Sequence, residues 1–417
     1  MAITAACGTS TALPPPQATL PPILTPTPSI EPTPTEAIVA LNLWMPESLA
    51  PIGDDEAARV FNSLVAEFDA RYPDATLRVA PKKDHGPGGL LDLLRTASPV
   101  APAALPDVIL LDDADLAIAA REGLSQPLDG VFDAESEAGL FAFARSAARI
   151  DDKRMGLPLT ADLAHLVYLP DRLDMLPISW ADLISATMSC PFAFVDGAHI
   201  SDVVLANYES LGGTIINDEG QPALTLDALA QLLTLYRDAR SAGVISVASL
   251  DWPDPDAAWS AFRASGAALT VGRASRYLSA RAEGIALGFA RAPSIGNGFV
   301  PPIGRSWNLA LVARDPRRQA LAVALITHLS QADATAAWMR AARVLPANAS
   351  ALTRWGSDDY TAFVRGELNR ALPPPSPAAL DAVSPAFLSA IRDVLTGRAM
   401  PQAAAEAAVA AVARGGK

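Results

Sequence analysis

The stretch IVALNLW at residues 38–44 opens the folded part of the chain and predicts a β-strand, because it is apolar and partly alternating. Asp54 is a plausible N-cap for a helix over residues 55–71, in which apolar side chains recur at helical spacing. The sequence Tyr-Pro-Asp at 72–74 ends that helix, and residues 75–80 are typical of a second strand. Together these elements predict a βαβ unit with parallel strands.

The next segments continue the alternation of helix and strand. A helix carries the leucines within residues 90–94, and the unbroken apolar run at 108–111 predicts a strand buried on both faces. Another helix over residues 114–122 ends at Gly123. The pattern therefore predicts a doubly wound α/β lobe that is nearly complete by residue 130.

Length and charge limit the classes of protein to which this chain can belong. A chain of 417 residues exceeds the usual size of a single core, so two or three domains are expected. The net charge of −13 and the lack of a Lys or Arg cluster exclude nucleic acid as an expected partner. Polar residues or proline interrupt every apolar run before the ~18–20 residues that a membrane span requires.

Residues 1–36 are predicted to be the remnant of a signal peptide followed by a disordered tether. Ile-Thr-Ala-Ala-Cys-Gly at 3–8 resembles the end of a bacterial lipoprotein signal peptide, in which Cys7 would be acylated, although the charged n-region and most of the apolar region are missing. An ordinary Ala-Cys pair remains the alternative. Proline and threonine dominate residues 8–36, which predicts a disordered, extended spacer. The other cysteine, Cys190, is expected to be a buried, inert thiol.

Short segments also follow one another in a characteristic order along the chain. They are Leu43-Trp44, Ala66-Glu67-Phe68, Tyr72-Pro73, Pro106-Asp107-Val108-Ile109, Gly156-Leu157-Pro158, Ser179-Trp180-Ala181-Asp182-Leu183, Gly212-Gly213, Ala261-Phe262-Arg263-Ala264-Ser265-Gly266 and Val344-Leu345-Pro346-Ala347. In this order the sequence is similar to extracellular solute-binding proteins of ABC importers, family 1, the oligosaccharide and glycerol-phosphate type. The resemblance covers residues 37 to about 412. One departure is Leu169-Pro170-Asp171, where the family commonly has Asn-Lys, and it concerns a local turn.

The resemblance implies a type II periplasmic-binding-protein-like α/β fold with two lobes. Each lobe would be a mostly parallel sheet flanked by helices, and the ligand would lie in the cleft between lobes. Lobe 1 would comprise residues 37–157 plus 310–345, and lobe 2 residues 158–309 plus 346–417. The implied function is capture of a small solute, most simply a carbohydrate, for a membrane permease by a lipid-anchored monomer outside the cytoplasmic membrane. No cofactor and no metal are expected.

Candidate ligand residues follow from the rule that ligands bind beyond the carboxyl ends of strands in open α/β sheets. Aromatic rings cover the apolar face of a sugar, and carboxylates, amides and arginine bond its hydroxyls. The candidates are Trp44, Glu47, Asp112, Asp113, Asp162, Trp252, Arg273, Ser306, Trp307 and Asn308.

Several of these candidates also have a structural interpretation that the sequence leaves open. Asp112 or Asp113 could cap the helix that follows, Trp44 could pack between lobes, and Arg273 could pair with a surface carboxylate. Trp180 is set aside, because its Ser-Trp-Ala-Asp-Leu setting predicts a helix start packed on the core.

The same sequence admits two rival functions. A secreted hydrolase is disfavoured, because the histidines are scattered and neither His-Glu-x-x-His nor Gly-x-Ser-x-Gly occurs. The chain is therefore predicted not to be an enzyme. A ligand-sensing surface lipoprotein of the same fold stays open, since a fold does not determine what a bound ligand triggers.

Overall fold

The first strand lies inside a five-stranded sheet in the computed structural model, which describes residues 38–132, 137–296 and 299–415 together with residues 1, 2, 4 and 8. Residues 38–417 group into one unit and residues 1–37 into another. Cys7 and the predicted spacer at 9–36 lie outside the described residues. The strands are β1 (Val39–Pro46), β2 (Ala75–Lys82), β3 (Val108–Asp112), β4 (Arg149–Ile150), β5 (Lys153–Arg154), β6 (Leu157–Pro158), β7 (Thr160–Ala161), β8 (Ala164–Tyr168), β9 (Val195–Asp196), β10 (His199–Ile200), β11 (Leu269–Arg273), β12 (Gly288–Ala290), β13 (Trp307–Leu311) and β14 (Leu345–Pro346).

The α-helices surround these strands. They are α1 (Glu56–Arg71), α2 (Leu90–Val100), α3 (Asp113–Arg121), α4 (Ala142–Ala147), α5 (Trp180–Ser185), α6 (Asp202–Ser210), α7 (Leu226–Ser241), α8 (Pro255–Ser265), α9 (Ala274–Ala282), α10 (Pro316–Ser330), α11 (Ala332–Ala341), α12 (Ala349–Thr353), α13 (Asp359–Arg370), α14 (Pro377–Leu395) and α15 (Pro401–Gly415). In the described part of the chain, no helix has the length and apolar character needed to span a membrane.

The five-stranded sheet confirms the predicted βαβ unit. Its strand order is β2-β1-β3-β13-β6, and β1 runs parallel to both β2 and β3. The predicted cap of α1 was one residue early: Asp55, not Asp54, accepts the Ala58 N–H at 2.8 Å. The reason is that the chain bends into helical geometry only after Asp55, whose backbone is still extended.

Strand β13 returns to this sheet late in the chain. It pairs antiparallel with β3 along its whole length, from Trp307 against Asp112 to Leu311 against Val108. The predicted lobe boundary between residues 309 and 310 therefore falls inside a strand. The lobe division itself stays a prediction, but sheet pairing favours a crossing before Trp307.

A buried ion pair ties the returning helix α10 to the same sheet. Both oxygens of the Asp107 carboxylate accept from the Arg318 guanidinium, at 2.7 and 2.6 Å, and one of them also accepts the Asn42 N–H at 2.7 Å. Arg318 donates further to the carbonyl of Ala40 at 2.8 Å. Asp107 is only 2% exposed, and its contact with Arg318 joins elements more than 200 residues apart in the sequence.

The second sheet differs from the expectation of mostly parallel strands. Its order is β11-β8-β12, and both pairings are antiparallel. The physical reason is that β8 lies in the centre, and the chain returns to both of its edges in the opposite direction. A two-stranded ribbon of β7 and β14 carries two further segments of the chain between the sheets.

Two predictions concern residues of the apolar core that packs against the second sheet, and both are confirmed. Trp180 is 2% exposed at the start of α5, where Ser179 and Asp182 form a capping box. Cys190 is a buried free thiol, and burial raises its pKa to about 12. Helices α14 and α15 pack with α7 over this core, so the C-terminal region belongs to it.

Candidate functional site

A cavity of about 680 Å³ lies where the ends of the two sheets meet. The first sheet contributes the turn after β1, the loop after β2 and the start of α3, while the second contributes the start of α9, and the separate β9–β10 hairpin contributes its turn. The remaining walls come from the crossing segments around residues 160–162, 305–307 and 342–344. This volume is within the range of small-molecule sites, ~300–1,000 Å³.

Six of the predicted ligand residues line this cavity, and four do not. The lining includes Asp112, Asp113, Asp162, Arg273, Ser306 and Trp307. The four outside the lining are Trp44, Glu47, Trp252 and Asn308. Their predicted role in binding is therefore not supported by their position.

Trp44 lies within β1 instead of following it, because the strand continues to Pro46. Its side chain is partly buried against the apolar cluster beneath the sheet, and the Lys82 ammonium lies 5.3 Å from the ring centroid. These contacts give the residue a packing role. Trp252 is also half-buried, as the residue that ends a short 3₁₀ turn before α8.

One corner of the cavity combines an aromatic ring with two carboxylates. The imidazole of His85 stacks on Trp307, with ring centroids 5.5 Å apart and an interplanar angle of 25°. Its Nδ1 lies 3.6 Å from an Asp115 oxygen and 3.9 Å from an Asp112 oxygen. The close Asp115 carboxylate, opposed by burial and supported by the charge of Asp112, raises the pKa of His85 to about 9.

Asp112 caps the helix α3, which was one of its two predicted roles. Its carboxylate accepts the Asp115 N–H at 2.7 Å. Burial and the nearby Asp115 carboxylate raise the pKa of Asp112 to about 6. The same carboxylate lines the cavity, so capping and exposure to a ligand coexist in this residue.

Asp113 is held inside a buried network. It accepts the Ser306 N–H at 2.7 Å and the Asn308 side-chain amide at 3.0 Å, and the Ser306 hydroxyl also donates to it. Burial raises its pKa. Asn308 is fully buried, so its part is to hold Asp113 and the start of β13 in place.

The arginines on the second side of the cavity are paired with carboxylates. Arg273 bonds a carboxylate, Asp196, but this partner is half-buried in the cavity wall and is not the surface carboxylate of the alternative interpretation. Arg276 bonds Asp256 through two nitrogens, and Arg305 bonds Asp202, which lies just behind the lining. Asp162 completes the polar wall. Its carboxylate accepts the Ser275 hydroxyl at 2.6 Å, and burial raises the pKa of Asp162.

Many residues of the cavity wall were missed from the sequence, among them His85, Asp115 and Arg343. His85 lies in a glycine-rich loop after β2, Asp115 lies one turn into α3, and Arg343 follows α11. The only available signal was for Asp115, which stands three residues after the candidate Asp112 and thus in the first helical turn. Among the described residues, no group of three or more His, Cys, Asp or Glu side chains is placed to hold a metal ion.

Comparison with known proteins locates this architecture among binding proteins. A family model described as bacterial extracellular solute-binding protein matches residues 63–364. No curated protein matches the sequence. Among solved structures, the cyclic alpha-maltosyl-1,6-maltose binding protein of Arthrobacter globiformis aligns with a TM-score of 0.73 and 18% identity, covering 90% of this chain and 98% of that one.

Two further solved structures show the same fold. The GacH receptor of Streptomyces glaucescens, solved unliganded and with acarbose, aligns with a TM-score of 0.70 and 18% identity, covering 91% of this chain and 99% of the receptor. The maltose-binding periplasmic protein MalE of Listeria monocytogenes, solved with maltose, aligns with a TM-score of 0.71 and 18% identity, covering 90% of this chain and 97% of that one. These likenesses confirm the expected two-lobed fold.

Proposed function

Because the chain belongs to the bacterial extracellular solute-binding protein family, we propose that it captures a small carbohydrate outside the cytoplasm and delivers it to an ABC permease. The family describes proteins that bind solutes, and no chemical step is part of the proposal. The observation that carries the choice of ligand is the corner formed by Trp307, Asp112 and Asp115 in a cavity of about 680 Å³.

The chemistry of that corner suits a sugar ring. The apolar face of a pyranose packs well on an indole, and ring hydroxyls donate hydrogen bonds to carboxylate oxygens. Names of the solved relatives support the same class, since those proteins bind maltose-type saccharides or acarbose. At 18% identity these structures show the fold of this chain, and the ligand class is our proposal.

Closure of the cavity is the proposed mechanism. Trp307 and the carboxylates belong to the first sheet, whereas Arg276 and Ser275 stand at the ends of the second. A ligand that touches both sets gains the full contact energy only when the two sets approach, so binding would shift the chain toward a closed state. The ribbon of β7 and β14 is a suitable hinge, because it is short and joins the two sheets.

Attachment to the membrane is proposed through Cys7. The order of small residues, cysteine and glycine at 3–8, followed by a Pro- and Thr-rich stretch, is what an acylated anchor with a spacer requires. Partners would then be the sugar, the permease and the lipid surface, and we expect the binding protein to be a monomer.

The test is a thermal-shift screen of neutral mono- and oligosaccharides and polyols, followed by X-ray scattering with the best ligand. At a hundredfold excess over Kd, binding adds ~2.7 kcal/mol, which corresponds to about 3 °C for a chain of this size. We expect Trp307→Ala to weaken binding by ~30-fold, as loss of a central aromatic contact does.

Trp44→Ala is the matched control, because Trp44 is a half-buried tryptophan of the same sheet that does not line the cavity. It should lower the melting temperature of the unliganded protein and leave Kd unchanged. Loss of binding in Trp44→Ala with normal binding in Trp307→Ala would contradict the site. A ligand that stabilises the protein without reducing its radius of gyration would contradict the closure.

A further inference from the structure

Arg343 lies at the point where helix α11 ends and the chain turns into the β14 ribbon. The N–H of Val344 bonds the carbonyl of Met339 at 3.0 Å, and the N–H of Arg343 bonds the carbonyl of Arg340 at 3.2 Å. This pair of bonds is a Schellman motif, in which the residue at the Arg343 position takes a left-handed conformation. Its φ is +59°.

A left-handed residue at this position is usually glycine, because a Cβ atom meets the backbone there. Among the described residues, only four non-glycine residues have positive φ, and Arg343 is the one of these that lines the cavity. An arginine here costs backbone strain that glycine would avoid. Strained residues of this kind are concentrated at ligand sites, where the side chain provides the benefit.

Among the arginines that line the described cavity, Arg343 is the one whose guanidinium has no partner. The other arginines of the cavity wall, Arg273, Arg276 and Arg305, are each held by a carboxylate. Within the described residues, the exposed side chain of Arg343 makes neither a hydrogen bond nor an ion pair. Its five N–H donors are therefore available to a ligand.

We propose that Arg343 is a direct ligand contact that determines specificity by donating hydrogen bonds to oxygen atoms of a neutral, hydroxyl-rich ligand. This inference rests on the proposed function and names one residue of the same site. A neutral ligand is favoured over an anion, because eight aspartates and four arginines line the described cavity and give it a negative field.

The experiment separates the backbone strain from the contact with two variants of the full chain. Arg343→Gly removes both the side chain and the strain, whereas Arg343→Ala removes the side chain and keeps a Cβ at positive φ. We expect the melting temperature of the unliganded Gly variant to rise by about 1 °C and that of the Ala variant to stay within error of the original.

Both variants should bind the best neutral sugar of the thermal screen at least tenfold more weakly than the original protein, measured by titration calorimetry. Arg343→Lys should recover only part of the affinity, because an ammonium lacks the planar fork of donors. Unchanged Kd in both the Gly and Ala variants would overturn the inference while leaving the proposed function intact.

Other outcomes are equally decisive. If the matching uronic acid binds more tightly than the neutral sugar and loses its advantage in Arg343→Ala, the choice of a neutral ligand is overturned. If no sugar stabilises the original protein, the proposed function fails. In that case the inference also fails if unliganded Arg343→Gly melts no higher than Arg343→Ala. The arginine would then cause no backbone strain that a functional benefit has to offset.

Discussion

Removal of His85 is expected to strengthen binding of a sugar, because the imidazole lies where a sugar ring would stack. Its centroid is 5.5 Å from that of Trp307, and its Nδ1 lies between the carboxylates of Asp115 and Asp112. A ligand that packs on this face of the indole must first displace the imidazole. His85→Ala removes that competitor and leaves the carboxylates facing the cavity.

The size of the effect follows from the contacts that are lost on displacement. The His85 side chain is 54% exposed, so its ion pairs with Asp112 and Asp115 are worth only ~0.2–1 kcal/mol each. Stacking on Trp307 adds ~0.5–1.5 kcal/mol. A total cost of about 1–3.5 kcal/mol predicts that His85→Ala lowers Kd by at least ~5-fold and by up to ~400-fold.

The same competition makes binding by the original protein depend on pH. The pKa of His85 is raised from 6.5 to about 9, so its attraction to the carboxylates is complete below about pH 6.5 and is lost as the pH rises through 9. The charged groups around it are Asp84 on its own loop, Asp112 at the end of β3 and Asp115 on α3. Affinity for a neutral sugar should therefore rise from pH 7 to 9, with release of a proton on binding.

Titration calorimetry at pH 7, 8 and 9 measures both quantities, with the best neutral sugar of the thermal screen. His199→Ala is the control, since His199 also lines the cavity but pairs with Asp381 at 2.8 Å. The reasoning is refuted if the affinity of the original protein is flat over this range. It is also refuted if His85→Ala binds more weakly, because His85 would then be a ligand contact.

The remaining predictions concern stability. Asp107→Ala removes a buried carboxylate that accepts the Asn42 N–H and pairs with Arg318, whose side chain is 35% exposed, so we expect a loss of ~2–3 kcal/mol and a melting temperature about 2–4 °C lower by calorimetry; a loss below ~1 kcal/mol would contradict the pairing. Burial, together with the charge of Asp202, raises the pKa of Glu209 to about 7, and one of its oxygens is buried without a hydrogen bond. Ionisation therefore destabilises the fold increasingly between about pH 4.5 and 7, and Glu209→Gln should add about 1–3 kcal/mol at pH 8 and nothing at pH 4 in denaturant melts; equal effects at both pH values would disprove this account.

The first sheet was predictable because its signals are local. Residues 38–44 and 75–80 are short apolar runs on either side of a helix with a clear apolar face, and this pattern itself implies parallel pairing. The direction of the second sheet was not predictable in the same way. Its central strand, β8, pairs with β11 and β12 more than 100 residues later, and periodicity within a strand carries no information about the direction of such distant partners.

The site was predictable to the extent that it depends on where strands end. Asp113 directly after β3, Asp162 directly after β7 and Arg273 at the end of β11 line the cavity as expected. Trp44 was misplaced by two residues, because the sequence does not show that β1 continues through Met45 and Pro46. His85 and Arg343 stand in a loop and in a helix terminus, where neither periodicity nor a motif distinguishes a cavity residue from an exposed one.

The pairing of charges divides the cavity residues into two kinds. Asp113 and Arg273 already have partners within the protein, so a ligand that bonds them must share groups that also hold the walls together. Substitution of these residues would therefore change stability and affinity together. His85 and Arg343 have a displaceable partner or none, and substitution there would change affinity with little effect on the fold. Trp307 offers its ring to the same cavity but also packs against the apolar clusters of the first sheet. Ligand identity should therefore depend on these three residues, of which strand-end reasoning reached only Trp307.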